Sequence, residues 1–203
     1  MAVNLQKGQK VNLTKSDGSQ LKHAMVGLGW DAAEKKGGGG FLSSLLGSSG
    51  GDDIDCDASA FLCRNGHLKA VEDIVYFGNL RHSSEAVRHM GDNLTGEGEG
   101  DDEQIFVDLT SLPADCDKVV FVVNIYKAAS RKQHFGMIRN AFIRIVDADT
   151  NTELLKYNLS ENYDGMTAMV FGEIYRYKDQ WKFNPIGQAT KDNGLEELAK
   201  RFQ

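Results

Sequence analysis

Lys118-Val119-Val120-Phe121-Val122-Val123-Asn124-Ile125-Tyr126 contains five consecutive β-branched or aromatic apolar residues. A strand with one wet face would alternate apolar and polar positions. An unbroken run of this length needs cover on both faces, so the segment reads as a central strand. Working outward, similar short runs recur on both sides, at Lys10–Thr14, Leu21–Trp30, Ala58–Cys63, Ile74–Phe77, Gln104–Leu109, Met137–Val146, Leu154–Leu159, Met166–Tyr177 and Gln180–Gln188. Turn residues separate most of them, as in Arg64-Asn65-Gly66-His67. The expected fold is all-β, an antiparallel β-sandwich of about ten strands forming one domain over residues 1–203. One helix stands out at the C-terminus, where Leu195, Leu198, Ala199 and Phe202 follow helical spacing after Asp192-Asn193-Gly194. A helix this short is marginal alone, so it is expected to dock on the sandwich. The polar connection Ala128–Gly136 has room for one helical turn.

The chain has 203 residues, enough for a substantial core, with 41% hydrophobic and 26% charged residues. No apolar run reaches the roughly 18–20 residues of a membrane helix. Met1 to Leu13 lacks the apolar centre of a signal peptide, so a soluble, cytoplasmic protein is expected. Cys56, Cys63 and Cys116 are odd in number and show no C-x-x-C spacing, which speaks against a disulfide framework or a cysteine zinc site. The glycine- and serine-rich stretch 34–51, with Phe41, Leu42, Leu45 and Leu46 at its centre, reads as a flexible loop insertion.

The net charge of −6 hides an uneven distribution. Asp52, Asp53, Asp55 and Asp57 form one acidic segment, and Asp92, Glu97, Glu99, Asp101, Asp102 and Glu103 a second. Without them the remaining 19 acids face 23 bases, a net charge of +4. No basic stripe remains that would suit nucleic acid as the main ligand. In the second segment six acids and three glycines share twelve residues, and glycine lets carboxylates and carbonyls turn toward one point. Like charges ~5 Å apart repel by about 3 kcal/mol per pair at an effective dielectric of 20, so a folded loop of this kind calls for a cation. Oxygen-only ligands in such number suit a hard cation, Ca²⁺ better than Mg²⁺; the alternative is a solvated acidic loop. The spacing is not that of an EF-hand. With Asp53 at loop position 1, Ala58 replaces the glycine and Arg64 the final glutamate. With Asp92 there, Leu94 and Gly96 fall where ligands belong. His23, His67, His82, His89 and His134 are scattered, and no phosphate-binding loop or nucleophile elbow is present.

The whole chain resembles the tellurium-resistance TerD family. The resemblance is carried by Leu5-Gln6-Lys7-Gly8 with Asn12-Leu13-Thr14, by Val26-Gly27-Leu28-Gly29-Trp30-Asp31, and by Asp55-Cys56-Asp57-Ala58-Ser59-Ala60-Phe61-Leu62. Gly91 through Glu103 is its most specific stretch, followed by Asn140-Ala141-Phe142-Ile143-Arg144, Phe171-Gly172-Glu173-Ile174-Tyr175-Arg176 and Trp181-Lys182-Phe183. The resemblance implies a bacterial, calcium-binding, non-catalytic stress protein concerned with tellurite, chemical and phage resistance, holding more than one Ca²⁺ in acidic loops at one end of a sandwich. Matching positions make Asp31, Asp55, Asp57, Asp92, Asn93, Asp101, Asp102 and Glu103 the metal ligands, with Asn140 able to orient a ligand. Implied partners are other tellurium-resistance proteins and a membrane-bound protein, without stable membrane insertion; a peripheral place at the inner membrane face fits the same reading. Two alternatives stay open: a Ca²⁺-dependent membrane or protein adaptor using Phe41–Leu46, and a metal-dependent hydrolase using paired carboxylates. Cys56 departs from the family, which usually has a larger aliphatic residue there. A tellurite-reactive thiol is disfavoured, because neighbouring carboxylates raise a thiol's pKa.

Overall fold

The computed structural model describes residues 2–15, 17–32, 54–91 and 100–203. The insertion 34–51, Asp92, Asn93, Glu97 and Glu99 lie outside them. Thirteen strands appear among the described residues: β1 (Val3–Leu5), β2 (Val11–Asn12), β3 (His23–Ala32), β4 (Cys56–Arg64), β5 (His67–Leu68), β6 (Ile74–Val75), β7 (Val87–His89), β8 (Glu103–Asp108), β9 (Lys118–Ile125), β10 (Ile138–Asp147), β11 (Thr152–Asn158), β12 (Ala168–Tyr177) and β13 (Gln180–Thr190). They form two sheets, ordered β1-β11-β10-β3-β8-β7 and β2-β13-β12-β9-β4-β5, with β6 added to β4. Each of the ten expected strands is present. The expected antiparallel sandwich is what forms, with one parallel pair at an edge, where β1 runs beside β11. A strand brought in by the chain terminus needs no tight hairpin, so nothing forces it antiparallel.

The strand β9 lies between β12 and β4, as its unbroken apolar run required. Val119, Phe121, Val123 and Ile125 face the main core between the sheets, while Val120 and Val122 face outward into a second cluster. That cluster is roofed by helix α2 (Leu195–Lys200), whose Leu198 and Ala199 are buried against Phe61, Cys63, Ala168 and Val170. Phe202 packs edge-on against Phe61 with ring centroids 5.5 Å apart. Docking therefore gives the short helix its stability, with each fully buried aliphatic side chain worth about 1.5–3 kcal/mol. The single turn expected in the polar connection is α1 (Ala128–Arg131). Between β4 and β5, Asn65 and Gly66 both take positive φ, 53° and 80°, the backbone of a tight two-residue hairpin.

On β3 the alternation is complete: Ala24, Val26, Leu28 and Trp30 are buried in the main core. The opposite face carries Gly27, Gly29 and Asp31 toward the acidic end. A Cβ on Gly27 would collide with the Asp101 carboxylate, and one on Gly29 with the Phe142 ring. The two glycines of the Val26–Asp31 element are thus spaces that let Asp101, just before β8, and Phe142 of β10 close over the sheet.

Candidate metal centre at the acidic end

Six of the eight expected ligands are described, at the end of β3, around the start of β4 and at the start of β8. Around Cys56, at the start of β4, lie Asp55, Asp57, Asp102 and Glu103. Burial pushes the Cys56 thiol well up, and the charges of Asp57, Glu103, Asp55 and Asp102 push it further. This agrees with the expectation against a reactive thiol. The second group centres on Asp102, whose pKa is raised by burial and by Asp31 and Asp101, against the lowering effect of a Trp30 N–H bond.

The three consecutive acids at the mouth of β8 point three ways. Asp101 turns onto the outer face of β3 and β10, where Arg144 grips both its oxygens, at 2.6 and 2.9 Å, and Gln104 adds a bond of 3.0 Å. Asp102 accepts the Trp30 N–H at 2.6 Å, tying the loop to the end of β3. Glu103 enters the core, 2% exposed, and its Oε2 accepts the Ala58 N–H at 2.9 Å. His89 Nε2 lies 3.0 Å from that oxygen and 3.2 Å from the Ala58 carbonyl. Gly91 N–H donates to His89 Nδ1, which places the ring proton on Nε2. Glu103 and His89 therefore close the backbone of β4 where β5 and β6 do not reach it. Sequence reasoning missed His89, since a lone histidine carries no spacing signal.

Asp31 sits at the far end of β3, held by Asn140 Nδ2 at 2.7 Å, so Asn140 does orient a candidate ligand. Asn140 has φ 52°, a left-handed conformation open to asparagine. Both border a cavity of about 410 Å³ with Trp30, Gly100, Phe142 and Lys156. The Lys156 ammonium rests 3.8 Å from the Phe142 ring centre, so this cavity already contains a cation beside its carboxylate. The larger groove, about 1120 Å³, lies beside α2 and away from the acidic end.

Asp57 faces outward from β4, directly opposite Asn124 of β9. Asn124 Nδ2 donates to Asp57 Oδ2 at 3.3 Å. Asp55 is two residues earlier, with Arg131 of α1 at 3.6 Å. No three His, Cys, Asp or Glu side chains among the described residues converge closely enough to hold a metal on their own. Any ion here would also need neutral oxygens. Two buried ones are at hand: Asn124 Oδ1 and Ser59 Oγ have no hydrogen-bond partner among the described residues, although Asn124 is 5% and Ser59 1% exposed. The donor set is all oxygen, which fits a hard cation.

Elsewhere, His82 bonds Ser84 Oγ at 2.7 Å through Nδ1 and Asp73 at 3.2 Å through Nε2. Ser84 Oγ in turn accepts the Ala86 N–H, so this order of Asp, His and Ser closes a turn.

The TerD domain family matches residues 1–202. The chain belongs to the TerD family. Its relatives include stress response protein SCP2 of Bacillus subtilis (strain 168), 52% identical over 202 residues covering all of both chains. Tellurium resistance protein TerD of Serratia marcescens is 44% identical over 93% of this chain and 91% of its own. A solved structure of a homologue of telluride resistance protein TerD from Streptomyces coelicolor A3(2) superposes with a TM-score of 0.64 at 18% identity, covering 90% of this chain and 98% of that one. That likeness extends the TerD fold to the present sandwich. No helix among the described residues is long and apolar enough to cross a membrane.

Proposed function

We propose that this TerD-family chain is a calcium-binding, non-catalytic protein of the bacterial stress response, acting in tellurite and chemical resistance as the names of its relatives indicate. The observation that carries the calcium reading is the run of Asp55 and the buried Asp57 at the start of β4, with Asn124 across the sheet and Ser59 two residues on adding neutral oxygens. An oxygen-only donor set of this kind suits a hard divalent cation. Asp31, Asp55 and Asp57 are the carboxylates best placed to coordinate. Asp101, Asp102 and Glu103 hold the surrounding backbone while contributing charge, and Asp92 and Asn93 belong to the same proposed set. The two groups of acids suggest more than one ion. A non-catalytic role accords with His82 and His89, which both act as structural donors to carboxylates.

Isothermal titration with Ca²⁺ tests the proposal, and its stoichiometry reads the number of ions. Saturation below about 1 mM is expected, the weak end of known calcium modules. At a hundredfold excess over Kd, the ion should add about 2.7 kcal/mol of stability. Absence of heat and of any rise in melting temperature at that concentration would reject calcium binding.

A further inference from the structure

Helix α2 covers only part of the outer face of the second sheet. Past Val120 and Val170, toward the β12–β13 turn, that face carries Tyr175 and Tyr177, since Ile174 of the same strand faces the main core. Lys118 of β9 stands directly across from Tyr175 on one side, and Lys182 of β13 on the other. Lys10 arrives from the sheet edge, just before β2, which pairs with β13. Its ammonium lies 5.7 Å from the Tyr175 ring centre, and those of Lys182 and Lys178 lie 4.6 and 5.6 Å from the Tyr177 ring centre. Tyr177 is 50% exposed. Of these lysines only Lys118 has a carboxylate partner among the described residues, Glu173 at 3.4 Å. Sequence spacing hides the cluster, because sheet pairing brings Lys10 to a hairpin far along the chain. It sits at the Cys63 end of β4, ~23 Å along the strand from the acids around Cys56 at about 3.3 Å per residue.

Unmatched ammoniums attract an anion, and two rings at alternate positions of one strand offer it flat apolar surfaces. A polyanion that carries flat rings of its own uses both. Single-stranded nucleic acid stacks its bases on exposed aromatic side chains of a sheet while cations meet its phosphates. A duplex would need a longer basic stripe. A bilayer also attracts lysines, but the turn at this end is Lys178-Asp179-Gln180, with no apolar residue to insert. We infer that this face binds single-stranded nucleic acid, with bases stacked on Tyr175 and Tyr177 and phosphates held by Lys10, Lys178 and Lys182. Base stacking on a ring is stronger than an exposed cation–π contact, so a base displaces the ammonium, which stays beside it for the phosphate. The inference stands apart from the calcium reading.

The test is fluorescence anisotropy of a labelled oligothymidylate of about 16 nucleotides, in EDTA and at about 50 mM salt. With three phosphate contacts, log K against log salt should fall with a slope of about −2. The double variant Y175A/Y177A should bind at least about tenfold more weakly with the slope unchanged, and Y175F/Y177F, which keeps both rings, should bind as wild type does. K10Q/K182Q should also bind more weakly, with the slope reduced by about 1.4. No binding by wild type up to about 0.1 mM protein overturns the inference, as do affinities within about twofold of wild type in both the alanine and the glutamine variants. Sedimentation with phosphatidylserine vesicles but no oligonucleotide binding overturns it too, and assigns the face to a membrane surface. Should Y175A/Y177A not fold, Y177A and K10Q/K182Q decide by the same criteria, since Tyr177 is the exposed ring.

Discussion

Replacing Glu103 by alanine separates two roles for one carboxylate. As a ligand only, Glu103 would contribute nothing but repulsion without the ion, and its removal should leave the ion-free protein unchanged or more stable. The structure gives it a second task. Its Oε2 receives the Ala58 N–H and the His89 Nε2–H in a site where Glu103 is 2% and His89 4% exposed. Alanine would strand the Ala58 N–H away from water and leave His89 only the Ala58 carbonyl, 3.2 Å away, at about 2–4 kcal/mol together. In a chain of this size 1 kcal/mol corresponds to about 2–4 °C, so E103A should melt about 4–16 °C below wild type in EDTA. Glutamine keeps an oxygen that can accept from both donors, so E103Q should lose only the charge assistance, about 1–2 kcal/mol. Melting by circular dichroism in EDTA, with and without excess Ca²⁺, measures both roles. An E103A melting temperature within about 2 °C of wild type in EDTA would refute the structural role, given the expected slope.

Arg144→Met should destabilise by about 2–4 kcal/mol, because it abandons the Asp101 side chain, 1% exposed, with a neutral glutamine as its remaining described donor; denaturant titration reads this. The three buried cysteines should resist a thiol reagent at pH 8 in the native state and react fully in denaturant. Burial pushes Cys63 up to about 12 and Cys116 up to about 11, and Cys56 also carries the field of the acids. Asp192 yields a pH prediction. Burial works to raise its pKa, but bonds from Arg201 and Thr190 hold it below the ordinary 3.8. Its stabilising effect should be complete above that value and fade as pH falls through the lower folded pKa, so the stability gap between wild type and Asp192→Asn should shrink on acidification from pH 5.

The strands were legible where they were long. The β9 run announced a strand with two dry faces, and the helical spacing of Leu195, Leu198, Ala199 and Phe202 announced its outer cover. What was missed was short: β1, β5 and β7 span two or three residues, too few for alternation to show. Phe77 was assigned to a strand that ends at Val75, and it is instead 47% exposed. The strand β4 starts two residues earlier than expected, because Cys56 and Asp57 read as loop; their pairing with Ile125 and Asn124 draws them into the sheet. The site was legible as composition and position, not as direction. Nothing local in Asp101-Asp102-Glu103 tells that the first meets Arg144, the second Trp30 and the third His89, since all three partners are distant in sequence.

Those directions change the electrostatic argument that the acidic segments first suggested. A pool of equivalent carboxylates would need cations in proportion to its charge. In the folded chain Asp101 is matched by a guanidinium, Glu103 by two hydrogen-bond donors, and Asp102 by a backbone amide while its pKa rises. The protein itself thus balances part of the charge at the mouth of β8, and it does so with groups that also fix where β3, β4 and β8 end. Asp55 and Asp57 have protein partners as well, Arg131 at 3.6 Å and Asn124 Nδ2 at 3.3 Å. An acidic end built this way holds its backbone in place by its own contacts, so the calcium binding proposed above need not order the described strands. Calcium should then raise the melting temperature with little change in circular dichroism, the opposite of a domain that folds around its metal.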